Sequence, residues 1–105
     1  MRRKKTDIPE HIEVGAHKIP VIFKPDMLTH AAAYGLFDKD KMAIYLDKIL
    51  EENSSLAWET FWHEVMEVLN YVTEADMEHR DIQTIGLLLH QVFHSAFADK
   101  IIDSR

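Results

Sequence analysis

Apolar and polar positions alternate along the first half of the chain and recur at helical spacing along the second. Ile12 and Val14 lead into Gly15-Ala16, and Lys18-Ile19-Pro20-Val21-Ile22-Phe23 returns, which predicts a β-hairpin. Pro20 has no N–H to give a ladder, so its side of the strand belongs at an edge or a bulge. Lys24-Pro25-Asp26 ends the strand, and residues 27–34 read as a helical turn or a loop. Beyond Gly35, the segment Met42 to Asp47 alternates. Met42, Ile44 and Leu46 share one face, and Ala43, Tyr45 and Asp47 share the other.

The second half predicts two helices. Asn53-Ser54-Ser55 offers N-cap side chains, and the helical pattern continues to about Val72. At 100° per residue, Trp58, Phe61, Trp62, Val65, Leu69 and Val72 form an apolar stripe, with Glu59, His63, Glu67 and Asn70 roughly opposite. Thr73 to Glu78 is a polar break in which Asp76 is the expected cap. A second helix follows from about Met77 to Asp99, with Ile82, Ile85, Leu89, Val92 and Ala96 expected inward. These elements predict an α+β domain, a small and mostly antiparallel sheet packed on two helices. Its bounds are 11–105, behind a basic flexible tail at 1–10.

Charge narrows the function. Four of the twelve basic residues stand at positions 2–5, leaving eight against eighteen acids in the rest of the chain. Between Glu51 and Asp81 nine acids face a single base, Arg80. Such a surface repels phosphate, so nucleic acid is not expected as the main ligand. No apolar run is long enough to span a bilayer, and the basic start lacks a following apolar region, so a cytoplasmic location is expected. Without cysteine there is neither disulfide nor thiolate ligand.

The chemistry lies in Trp62-His63-Glu64-Val65-Met66-Glu67. Residues i and i+4 stand one above the other on a helix, so His63 and Glu67 can grip one metal ion. Glu64 is turned by about 100°, where a carboxylate meets water rather than the ion. This is the logic of His-Glu-x-x-His with Glu67 in place of the second histidine. Two ligands do not suffice. The third is expected from the start of the next helix, where His79 is the nearest downstream histidine and Glu78 the carboxylate alternative. His90 and His94 repeat the i, i+4 spacing. With no carboxylate fixed beside them by sequence, they read as flanks of an apolar face. Tyr34 and Tyr45 are candidate oxyanion donors, or ordinary packing residues.

The order of hairpin, Tyr34-Gly35-Leu36-Phe37-Asp38, strand Met42 to Asp47 and a helix opening toward Phe61-Trp62-His63-Glu64 resembles small phage-encoded zincin-like metallopeptidases. Ile12-Glu13-Val14-Gly15-Ala16-His17 and Leu87-Leu88-Leu89-His90-Gln91-Val92-Phe93 are similar to such proteins in equivalent places, and the resemblance spans about residues 11–95. It implies a zincin-like fold and a zinc-dependent peptidase. His63 would be a ligand, Glu64 would activate water, and Ala43, Ile44 and Tyr45 would form the strand edge that docks a peptide. The departure at Glu67 falls on a ligand position and bears on metal identity and turnover. The alternative from another class is an inactive adaptor of the same fold that binds a protein through its acidic groove and sheet edge. With no second lobe to wall the cleft, a partner chain or a homodimer is the expected complement.

Overall fold

The computed structural model describes residues 7–27 and 33–97. Strand β1 (His11–Val14) turns through Gly15, at φ +59°, into β2 (His17–Lys24), as the hairpin pattern predicts. Strands β3 (Gly35–Asp38) and β4 (Ala43–Asp47) form a second hairpin, joined by a turn that Asp38 organises. Its Oδ1 accepts from the N–H groups of Asp40 and Lys41 at 3.0 and 3.2 Å. Met42 closes that turn in the left-handed region at φ +49°, so β4 begins at Ala43 and Met42 is not one of its residues.

The sheet order is β1-β2-β4-β3. The hairpins are antiparallel, but β2 and β4 run parallel, with Val21 against Ile44 and Phe23 against Leu46. The sheet is therefore mixed, because β4 inserts between β2 and β3. This corrects the expected docking edge. Ala43, Ile44 and Tyr45 sit in an interior strand paired on both sides, so they cannot accept a peptide by strand addition. The outer strands are β1 and β3. Pro20 stands where β2 changes partner. The N–H of Val21 donates to Glu10 at 2.9 Å toward β1, so the proline nitrogen faces the β4 side, where pairing starts only at Val21.

Asp47 ends β4 by accepting from the Ile49 N–H at 3.0 Å, which opens a 3-10 turn, Lys48–Glu52. Helix α1 (Ser54–Thr73) follows, capped by Asn53, whose Oδ1 accepts from the Leu56 N–H at 3.1 Å. Helix α2 (His79–Ala96) folds back along it. Ile19, Val21, Ile44 and Leu46 meet Ala57, Trp58, Phe61, Val65 and Val68 in one core. Ile8 joins that core at 2% exposure, so packed chain begins ahead of residue 11; residues 1–6 of the expected tail lie outside the described residues. So do residues 28–32 of the expected turn or loop and the expected end of α2 past Phe97.

Helix α2 is rotated from the expected orientation. Ile82 and Gly86 are buried and Phe93 stacks on Trp58 at 5.2 Å, whereas Ile85, Val92 and Ala96 are exposed. Gly86 causes the rotation. A Cβ there would lie 3.2 Å from the Cα of His63 and 3.4 Å from its N, so the helices are in near backbone contact at this point. Asp76 is not the cap of α2: it sits at φ +56° in the loop, and Glu78 is the N-cap without a side-chain bond. A valine at position 86 would have to part the helices, and Gly86→Val is expected to cost about 1–3 kcal/mol of stability in urea unfolding. An unchanged midpoint would mean that the helices do not touch there.

Candidate metal centre

One side chain directs how the chain returns from α1 to α2. Asn70, in the last turns of α1, accepts the Met77 N–H on Oδ1 at 2.8 Å, while its carbonyl accepts from Ala75 at 3.3 Å. Glu74 reverses the chain at φ +55°. The loop thus delivers His79, the first residue of α2, over Glu67.

His63, Glu67 and His79 converge as expected, each offering one donor atom, all within 4.8 Å of one another. Glu78 lies at the same helix start, but its Oε1 pairs with Arg80 Nη2 at 4.0 Å and it is not in the group. His63 Nε2 is 3.5 Å from Glu67 Oε2, and His79 Nδ1 is 4.0 Å from the same oxygen. Tetrahedral ligands about 2.0–2.2 Å from zinc stand roughly 3.3–3.6 Å apart. The first separation already fits, and the second needs only a small closure. Burial lowers the pKa of His63, with Glu67 opposing and His79 reinforcing the shift, so its ring is neutral and able to donate at neutral pH. Among the described residues no other group of three such side chains converges.

Glu64, the next residue after His63, is buried at 6% exposure. Burial first, and then the charge of Glu67, push its carboxyl up to about 8, while a hydrogen bond from the Phe37 backbone N–H opposes them. That bond follows from the ladder. Because the Asp47 N–H donates to the Tyr34 carbonyl at 2.7 Å, alternation turns the backbone groups of Gly35 and Phe37 away from β4. Among the described residues no strand pairs with that outer edge. The strand lies so close to α1 that a Cβ on Gly35 would sit 2.7 Å from Thr60 Cγ2 and 3.0 Å from Glu64 Oε2. Only glycine allows this approach.

Beside this edge an open cleft of about 580 Å³ is lined by Tyr34, Gly35, Glu59, Thr60, His63 and Glu64, with α2 as its far wall. Tyr34 thus reaches the cleft. Tyr45 instead has the Lys24 ammonium 5.1 Å from its ring centre and does not line the cleft. His90 and His94 stand apart from the centre, their rings 4.3 Å from each other and that of His94 edge-on to Trp58. Sequence reading missed the outward backbone of β3, Gly35 and Thr60. The one available signal was a glycine opening a short strand, which marks close backbone approach.

Comparison with known protein families, curated proteins and solved structures finds no match to the chain.

The raised pKa of Glu64 has a thermal consequence in chelator-treated protein. Its folded value of about 8 lies above the ordinary carboxyl value of 4.5, so the folded state favours the protonated acid. The resulting stability is complete below pH 4.5 and is lost as pH rises through about 8. The melting temperature should therefore fall across that window, and Glu64→Gln should flatten the fall. The same slope in both proteins would assign it to other groups.

Proposed function

We propose that the chain is a metal-dependent peptidase of zincin-like type, with His63, Glu67 and His79 as ligands and Glu64 as proton carrier. The observation that carries this reading is the meeting of three donor atoms from two helices beside a buried acid that borders an open cleft. Two imidazoles and a carboxylate are a donor set that suits zinc at a catalytic site. When bound, such an ion would polarise a carbonyl and acidify a water.

The chain's own residues supply the rest. A general base works best when its pKa lies near the working pH, and burial brings the Glu64 carboxyl into that range. Glu64 would take a proton from the attacking water on its carboxylate and return it to the leaving amine. The outward N–H and C=O of Gly35 offer ladder bonds to an extended peptide laid along β3, which replaces the Ala43–Tyr45 edge as the docking strand. Thr60 and Tyr34 border the same space.

The adaptor reading has one observation in its favour. The Phe37 N–H already engages the Glu64 carboxyl, which is almost wholly buried, and that arrangement suits binding without turnover.

Zinc titration calorimetry combined with cleavage of an unfolded protein substrate tests both readings. Glu67→Ala and His79→Ala should lose most zinc affinity, while His90→Ala and His94→Ala keep it. Glu64→Gln should bind zinc like the parent and lose a factor on the order of 10²–10⁴ in turnover. Zinc binding by the parent without any cleavage supports the adaptor. Parental affinity in both Glu67→Ala and His79→Ala contradicts the site.

A further inference from the structure

His90 and His94 take no part in the first centre, yet they do not pack as ordinary flanks of an apolar face. Their rings lie 4.3 Å apart, one turn from each other on α2. Each keeps one nitrogen out of water and without a hydrogen-bond partner, Nδ1 of His90 and Nε2 of His94. Buried polar atoms are nearly always paired, so two on neighbouring rings need an explanation. Among the described residues the other such side-chain atom is Trp62 Nε1, which only donates and cannot ligate. An imidazole nitrogen can do either.

The two rings are already set as a pair. His94 stands edge-on to Trp58 at 5.7 Å and to Phe93 at 6.2 Å, so aromatic packing holds it in place. Burial lowers the pKa of His90, the charge of a protonated His94 lowers it further, and Glu59 opposes both. A neutral ring keeps the lone pair that a metal ion needs. Two imidazoles about 2.0–2.1 Å from one ion hold their ring centres roughly 4.5–5 Å apart, close to the separation here. Both rings are half-buried, and imidazole turns easily about its last torsion, so each can offer its nitrogen to an ion arriving from solvent.

A carboxylate faces the pair from the other helix. The helices run in opposite directions and meet at His63 and Gly86, which sets Glu59, one turn before the first, level with His90, one turn after the second. The charge of Glu59 is felt at the His90 ring, and its side chain is exposed. We propose that His90 and His94 bind a second divalent ion of the late transition series, with Glu59 as the third ligand. Zinc, copper and nickel all suit imidazole. Sequence spacing fixes no carboxylate beside this pair; the packing of the helices at Gly86 supplies one. These three side chains converge less tightly than His63, Glu67 and His79, so the second centre is the weaker of the two. It borders the same cleft, which Glu59 and His63 both line, but it does not rest on the peptidase reading.

Zinc chloride added to the Glu67→Ala/His79→Ala double variant, which lacks two ligands of the first centre, isolates the pair. Long-range ¹H–¹⁵N spectra should show the rings of His90 and His94 shifting together and saturating at one equivalent. His11 and His17, exposed on the first hairpin, should stay in place. Adding His90→Gln leaves one imidazole that binds without chelation, and zinc affinity should fall about tenfold or more. Glu59→Gln should lower it by a smaller factor. The melting temperature of the double variant should rise with zinc, and the rise should vanish with His90→Gln, which also shows that each protein is folded. A drift of His90 and His94 in step with His11 and His17, without saturation, would overturn the proposal. So would equal zinc affinity with and without His90→Gln. Either result leaves the His63 centre untouched, because that centre is absent from the protein tested.

Discussion

The near-contact of α2 with the backbone of α1 at Gly86 sets how the two helices pack. Two helices that meet at a glycine approach more closely than side chains otherwise permit, and their point of closest approach fixes the rotation of both. Here it lies over His63, with Gly86 able to sit there only because it has no Cβ. From that pivot, Ile82 and Phe93 turn inward, and the start of α2 is carried back to Glu67. Ile85, Leu88 and Val92 are turned out by the same rotation. The candidate metal centre and the apolar outer arc are therefore two results of one packing decision.

A second close approach, between β3 and α1 at Gly35, governs the acid. Burying an ionised carboxylate costs several kcal/mol unless hydrogen bonds repay it. Glu64 receives one from the Phe37 N–H and otherwise answers by holding its proton, with the carboxyl pushed up to about 8. Neighbouring Glu67 adds to that shift while facing the two histidines. Two carboxylates three residues apart thus occupy different environments, one dry and beneath a strand edge, the other half-exposed between imidazoles. Such separation of neighbouring acids suits them to different roles.

Much of this was legible in the chain and some was not, for physical reasons. Period-two and period-3.6 patterns gave the strands of the first hairpin, the final strand and both helices, because apolar residues recur along each at the spacing of its own geometry, even in β4, which is buried on both faces. The i, i+4 pair His63 and Glu67, and His79 at the next helix start, were readable because helix geometry is local. Strand order was not. Nothing in Met42 to Asp47 tells that β4 slips between β2 and β3, since interior and edge strands of this length share the same alternation. The rotation of α2 escaped for a related reason. Its apolar arc is wide enough for several orientations, and Ile85 and Val92 looked as suited to the core as Ile82. Only the tertiary contact at Gly86 chose among them.

On the proposed reading, one divalent ion would be held by imidazoles from both helices, with Glu67 between them. Long-range ¹H–¹⁵N correlation spectra of the histidine rings, recorded as zinc is added to one equivalent, address it directly. The Nε2 signal of His63 and the Nδ1 signal of His79 should shift together and saturate at one equivalent, while His90 and His94 stay in place. Shifts confined to His90 and His94, or a gradual drift of all histidines without saturation, would contradict it.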